Sequence, residues 1–226
     1  IPPHNLGELA DAVIHYIDNR DCTVDDLMRF VRGPDFPTGA AICGTRQIEA
    51  MYKLGRGLLT VRGRAEVVEE KGREAIIVSE LPYGVNKANW IADIARQVND
   101  KDLEGIADIR DESSGKGIRV VIELKRGAIG QVVLNNLYKH TQLQTTFGAI
   151  MLAIDNGRPR VMNLKELIRC HVDHRFEVIT RRTRFELARA EERCHILEGL
   201  LKALGRLDEI VRLIRAARLR AEARAA

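Results

Sequence analysis

The chain has 226 residues, 45% of them hydrophobic and 30% charged, with a formal net charge of +4. That length and balance suit one or two soluble domains with a real core. No apolar run approaches the ~18 residues of a membrane span, no leader sequence opens the chain, and aromatics at 4% are too few for a single-strand binder built on stacking platforms. The charge is uneven: residues 1–155 hold 19 basic against 22 acidic side chains, and residues 156–226 hold 17 against 10. A basic C-terminal part suits either a polyanion partner or a solvated Arg-rich helix. The four scattered cysteines, Cys22, Cys43, Cys170 and Cys194, point to a reducing, cytoplasmic setting. The chain opens on Ile1-Pro2-Pro3 without an initiator Met and reads as an excised piece.

In chain order, Pro2-Pro3 stiffens the entry and Asn5 caps a first helix to about Asn19, with Glu8 three residues on. Thr23, with Asp26, caps a second to about Val31. The stretch Gly33-Pro34-Asp35-Phe36-Pro37-Thr38-Gly39 is neither helix nor central strand and reads as a fixed loop. Thr45 to Leu54 is a third helix, ended by Gly55. Leu58–Val68 and Ala75–Leu81 read as a hairpin around Glu69-Glu70-Lys71-Gly72. Asn86 starts a helix through Trp90, Ile94 and Val98. Ile106–Arg110 and Ile118–Leu124 pair around Ser113–Gly117, Ile129–Tyr138 is helical, and Leu143–Ile154 is a strand turned back by Asn156-Gly157 toward Arg160-Val161. Helices and hairpins alternate without the spacing of βαβ units, which predicts an α+β domain on antiparallel strands.

From Asn163 the pattern changes. Asn163 and Glu166 form a capping box, and an apolar seam follows at steps of three and four: Val172, Phe176, Ile179, Thr183, Leu187, Ala190, Cys194, Leu197, Leu201, Leu204. The spacing predicts one helix of about 60 Å, a break at Gly205 and a short second helix from Leu207. The seam has no later segment long enough to cover it, so its partner helix is expected from elsewhere. The pattern is therefore an α+β domain followed by a long coiled-coil helix from Asn163.

The usual signatures of chemistry are missing. Ser114-Gly115-Lys116-Gly117 lacks the spacing of a phosphate loop and lies between strands, so it reads as a turn. Cys170, His171 and His174 have no second ligand pair and read as helix-surface residues rather than a zinc site. Asp108, Asp111 and Glu112 read as an exposed strand end. Tyr16, Tyr52, Tyr83 and Tyr138 sit in no cluster that would activate a tyrosine nucleophile. Composition and spacing alone stop at a soluble α+β domain with a coiled-coil arm that binds polyanions or partners.

Longer motifs go further. Ile1-Pro2-Pro3-His4-Asn5-Leu6, Gly33–Thr38, Gly55-Arg56-Gly57, Leu81-Pro82-Tyr83, Val85-Asn86-Lys87, Arg110-Asp111-Glu112-Ser113, Val133–Tyr138, Thr141–Gln144, His174-Arg175 and Thr180–Thr183 occur in this order. Together they resemble the A subunits of bacterial DNA gyrase, a type IIA topoisomerase, over nearly the whole chain to about Ala217. Thr141–Gln144 looks more like gyrase than like topoisomerase IV, which stays the alternative beside a non-enzymatic coiled-coil or DNA-binding interaction module. Ala216–Ala226 departs from the pattern.

The resemblance implies a helical junction over residues 1–32 leading from an upstream winged-helix domain, an α+β tower domain over 33–162 and, over 163–226, the outgoing helix of a coiled coil that returns antiparallel, with a break near 205 and a short second helix. It implies a parent enzyme that breaks and passes DNA duplexes with ATP, as an A2B2 heterotetramer with the DNA gyrase B subunit and a second copy of the A subunit. It places the nucleophilic tyrosine upstream and assigns magnesium and ATP to the B subunit, so this chain alone would bind no cofactor and would not cut DNA. The isoleucine that wedges between base pairs in the family falls on Ile1. Near it His4 and Asn5, and around the first hairpin Arg56, Arg62, Arg64 and Arg73, are the candidate contacts to double-stranded DNA. Arg175, Arg181 and Arg182 read as braces for the arm.

Overall fold

The structure, a computed structural model, describes residues 1–70, 73–115 and 117–217; Lys71 and Gly72 of the first expected turn, Lys116 of the second and the divergent end from 218 lie outside the described residues. Short polar side chains start the helices as read. Asn5 Oδ1 accepts from the amides of Gly7 (2.9 Å) and Glu8 (3.3 Å) to open α1 (Leu6–Asp18). The Glu8 carboxylate does not close a box on Asn5 but accepts from the Arg32 amide at 3.3 Å. Thr23 and Asp26 make the full reciprocal box of α2 (Val24–Leu27). This helix is shorter than the expected run to Val31. Beyond Leu27 the amides of Arg29 and Phe30 bond three residues back rather than four, a tightening ahead of Gly33-Pro34.

A short strand that the sequence did not signal, β1 (Ala41–Cys43), leads into α3 (Thr45–Leu54). Gly55 closes α3 at φ 72°, where a Cβ would lie 2.5 Å from the Met162 carbonyl oxygen. The next stretch corrects the expected hairpin. Residues 58–68 are not one strand but parts of two, β2 (Arg56–Arg62) and β3 (Ala65–Glu70), and they belong to different sheets. β3 pairs with β4 (Arg73–Val78) as read. β2 instead lies between β1 and β7 (Gln144–Ile150). Gly63 is the reason: its N–H donates to the Leu143 carbonyl at 2.7 Å, and a Cβ on it would sit 2.5 Å from the Glu80 carbonyl oxygen. Without a side chain the backbone can pass this closely between two others.

The second sheet has the order β3-β4-β6-β5, all antiparallel, with β5 (Ile106–Asp111) and β6 (Val120–Leu124). Ile76, Val78, Val120, Ile122 and Leu124 point to one face by the two-residue period of a strand. They form one buried cluster with Trp90 and Ile94 of α4 (Lys87–Asn99) and with Val133, Leu134 and Leu137 of α5 (Gly130–His140). Each such fully buried side chain stabilises the fold by about 1.5–3 kcal/mol. The expected strand 143–154 is also split, because the Met151 main chain leaves the ladder to bond Gly55 and Met162. After it, β8 (Leu152–Asp155) folds back on β9 (Arg158–Val161) through Asn156 and Gly157, both at positive φ.

Asn163 Oδ1 and Glu166 Oε2 exchange bonds with each other's amides at 2.8 and 2.9 Å, the box read in the sequence. They open α6 (Leu164–Gly205), 42 residues long and thus about 63 Å. It ends at Gly205, and α7 (Leu207–Ala216) follows. The seam side chains Phe176, Ile179, Leu187, Leu197, Leu201 and Leu204 are exposed. The architecture is α+β, antiparallel sheets followed by a long helix, as expected. The chain divides into two compact units, Ile1–Cys170 and His171–Ala226. No helix among the described residues is long and apolar enough to cross a membrane.

Candidate nucleic-acid interface

The first five residues form a strap across α3 and the loop at Asp35. Pro2 is buried, whereas the Ile1 side chain is 64% exposed. The strap is fastened at successive carbonyls: the Asp35 amide donates to Pro3 O at 2.9 Å, and His4 Nδ1–H donates to Pro2 O at 2.8 Å. His4 Nε2 then accepts from the hydroxyl of Tyr52 at 2.8 Å, and Asn5 Nδ2 donates to the Asp35 carboxylate at 3.4 Å. Burial pushes the His4 imidazole below its usual range, against a raising contribution from the Pro2 bond and Glu8, so the neutral ring is favoured. Ile1, His4 and Asn5 therefore come together as the sequence motif grouped them. The loop that supplies Asp35 is itself held by aromatic packing, with Phe36 stacked on Tyr83 (5.4 Å between centroids) and edge-on to Phe147 of β7 (5.1 Å).

The four strand arginines do not form one group. Arg56 and Arg62 stand on the same exposed face of β2, because residues an even number apart share a face. Six steps along the strand separate them, about 20 Å. Arg62 is braced: its Nε–H donates to Gln144 Oε1 at 2.8 Å, and its guanidinium lies 4.5 Å over the Tyr138 ring. Arg56 makes no ion pair with a described residue. Leu58 and Thr60 lie between the two arginines on the same face, opposite Gly148 and Thr146, and Gln144 stands opposite Arg62 itself. Arg64 sits at the crossing between sheets, 3.7 Å from Glu66 and 4.0 Å from Glu80. Arg73 begins β4 in the second sheet and is exposed. The expectation that all four flank one hairpin is thus corrected for Arg56 and Arg62, which belong to the other sheet.

Neither Tyr52 nor Gln144 stands out in the sequence as part of the site. Tyr52 faces the core of α3, and its one signal was chemical: a buried phenol needs a hydrogen-bond partner. Burial raises the Tyr52 hydroxyl above its usual range and also raises Tyr138. Neither is activated as a nucleophile. On α6, Arg181 and Arg182 pair with Glu177 (3.3 Å) and Glu186 (3.8 Å) one turn away. Among the described residues no group of three or more His, Cys, Asp or Glu is placed to hold a metal ion.

The family of DNA gyrase/topoisomerase IV A subunits matches residues 1–226. The chain is similar to the DNA gyrase A subunit of Mycolicibacterium smegmatis, 55% identical over 222 residues, which is 96% of this chain and 26% of that protein. It is 54% identical over 228 residues to the DNA gyrase A subunit of Salmonella typhimurium and to that of Escherichia coli, in each case 100% of this chain and 26% of the relative. The chain spans about a quarter of the length of the curated relatives it matches.

Proposed function

The chain belongs to the family of DNA gyrase/topoisomerase IV A subunits, and on that footing we propose that it is the DNA-binding and DNA-bending middle segment of a DNA gyrase A subunit. The relatives named above are gyrase subunits, which favours gyrase over topoisomerase IV. Residues 33–162 act as the tower domain, residues 1–32 join it to an upstream DNA-cleaving domain, and the helix from residue 163 is the outgoing half of a coiled coil.

The observation that carries this reading is an apolar, β-branched side chain held out in the open on a fastened stem: Ile1 is exposed while Pro2 behind it is buried. Such a wedge unstacks one base step and kinks the duplex, at a cost of a few kcal/mol. Contacts to phosphates along both bent arms offset that cost. Arg56 and Arg62 supply them from the face of β2, and Arg64 and Arg73 from the second sheet. His4 and Asn5 work at the root of the wedge.

In the parent, the bent duplex is cut through tyrosine links carried upstream, a second duplex passes, and ATP held with magnesium on the B subunit drives negative supercoiling. The assembly is an A2B2 heterotetramer in the cytoplasm. The test is Ile1→Ala in the full-length protein with its B partner, read by FRET across a labelled duplex and by a supercoiling assay. Bending and supercoiling should fall while the melting temperature holds. Unchanged bending would overturn the reading. A chain that dimerises through the α6 seam and shows no duplex affinity would instead make it a coiled-coil interaction module.

A further inference from the structure

Tyr52 has no exposed surface, yet its hydroxyl reaches out of α3 to the strap, where it meets His4 Nε2 at 2.8 Å. The direction of this bond follows from the next one. His4 Nδ1 faces the carbonyl oxygen of Pro2 at 2.8 Å, and a carbonyl can only accept, so Nδ1 carries the proton. The neutral ring then leaves Nε2 as an acceptor, and the Tyr52 O–H must donate. A single relay therefore runs from the interior of α3, through the imidazole, to the carbonyl of the residue next to Ile1. Proline fixes φ at positions 2 and 3, and the Asp35 amide holds the following carbonyl, Pro3 O, at 2.9 Å. α3 packs on β2, the strand that carries Arg56 and Arg62.

We propose that Tyr52 and His4 are positioning residues for DNA bending: their relay fixes the direction in which Ile1 leaves the strap and ties it to the sheet that holds the phosphate-contacting arginines. This rests on the reading of Ile1 as the wedge. An apolar side chain on a loose stem would have to be ordered at the moment of insertion, against the cost of unstacking. On a fastened stem that ordering is already complete in the free protein.

The experiment uses the full-length protein with its B partner and duplexes carrying 2-aminopurine at successive positions near the centre, whose fluorescence rises when its step is unstacked. End-labelled duplexes report the bent fraction in parallel. Tyr52→Phe removes one oxygen and nothing else. His4→Ala, at a half-buried position, tests the same relay if Tyr52→Phe fails to fold. Each should lower the 2-aminopurine signal and the bent fraction by about three- to tenfold, the weight of one freed side chain. For Tyr52→Phe, which touches no DNA, binding to the duplex should change by less than about twofold, since the phosphate contacts that dominate affinity remain.

Ile1→Ala should abolish the 2-aminopurine signal, and Ile1→Ala/Tyr52→Phe should match Ile1→Ala alone. A folded Tyr52→Phe or His4→Ala protein with the parent signal, beside an Ile1→Ala protein that has lost it, overturns the relay and leaves the wedge standing. A bent fraction in the double variant below that of Ile1→Ala alone shows that Tyr52 acts on the fold at large, which also overturns the relay. An Ile1→Ala protein with the parent signal removes the wedge itself.

Discussion

The indole N–H of Trp90 donates to Thr141 Oγ1 at 3.1 Å, joining α4 to the residue that ends α5. The same hydroxyl donates to Leu137 O at 2.7 Å and accepts from the Leu143 amide at 3.1 Å. Thr141→Val keeps the shape and removes all three bonds, leaving two N–H donors in the interior without an acceptor. The expected loss is about 2–4 kcal/mol. Trp90 is the only tryptophan and is 1% exposed, so its fluorescence reports the urea midpoint directly. A midpoint unchanged from the parent would remove the hydroxyl's role.

Gly63→Ala should be among the costliest single-methyl changes in the chain. Its Cβ would press on the Glu80 carbonyl, which is backbone and cannot swing away. A loss of about 1–3 kcal/mol is expected. Gly148→Ala is the control, because its Cβ meets nothing nearer than Leu58 Cδ2 at 3.9 Å. Equal melting temperatures for the two variants would show that the sheet crossing tolerates a side chain.

The Lys87 ammonium lies 2.7 Å from Asp111 and, with the Ser113 hydrogen bonds, holds that carboxyl down to about 2. A depressed carboxyl contributes stability above its unfolded value near 3.8, and that contribution disappears as pH falls toward about 2. Lys87→Met should move the Asp111 titration, followed by carboxyl NMR, back up toward 3.8 and flatten the pH dependence of melting in that window. An Asp111 midpoint that stays near 2 in Lys87→Met would assign the shift to Ser113 alone.

His4 behaves in the same sense for a different reason. Its imidazole is lowered by burial, so the unfolded chain takes up the proton first. Stability supplied by the neutral ring is present above about 6.5 and is lost as pH falls below it. The melting temperature should drop between pH 7 and 5 more steeply in the parent than in His4→Gln; parallel curves would contradict it.

Arg56 makes no ion pair with a described residue, so Arg56→Gln should remove a phosphate contact and little else. The slope of log affinity against log salt should shrink by about one, with stability unchanged. Arg62→Gln should cost both the slope and some stability, because Arg62 also braces Tyr138 and Gln144. An Arg56→Gln slope equal to the parent's would take Arg56 off the interface.

The helix starts were legible because a cap is a local event: Asn5, Thr23, Asn86 and Asn163 each act on amides within three residues. The pairing of strands was not local. Residues 58–68 alternate as one strand would, and what divides them at Gly63 is contact with Glu80 and Leu143, far along the chain. β1 escaped notice because Ala41-Ile42-Cys43 is too short to show a period. The strap was readable as a motif around Ile1, His4 and Asn5, but its fastening to Tyr52 required the fold.

Arg62 and Gln144 face each other across β2 and β7 although they are 82 positions apart. Just beyond them Gly63 bonds Leu143, so the chain leaves and re-enters the first sheet at adjacent points. Everything between, with its own four strands, two helices and buried cluster, is a guest spliced into the tip of a hairpin. Once that guest has folded, its two ends are already anchored side by side, and the host ladder closes as cheaply as a short turn would allow. Joining Arg62 to Gln144 by a two-residue turn would leave a three-stranded host with its register unchanged.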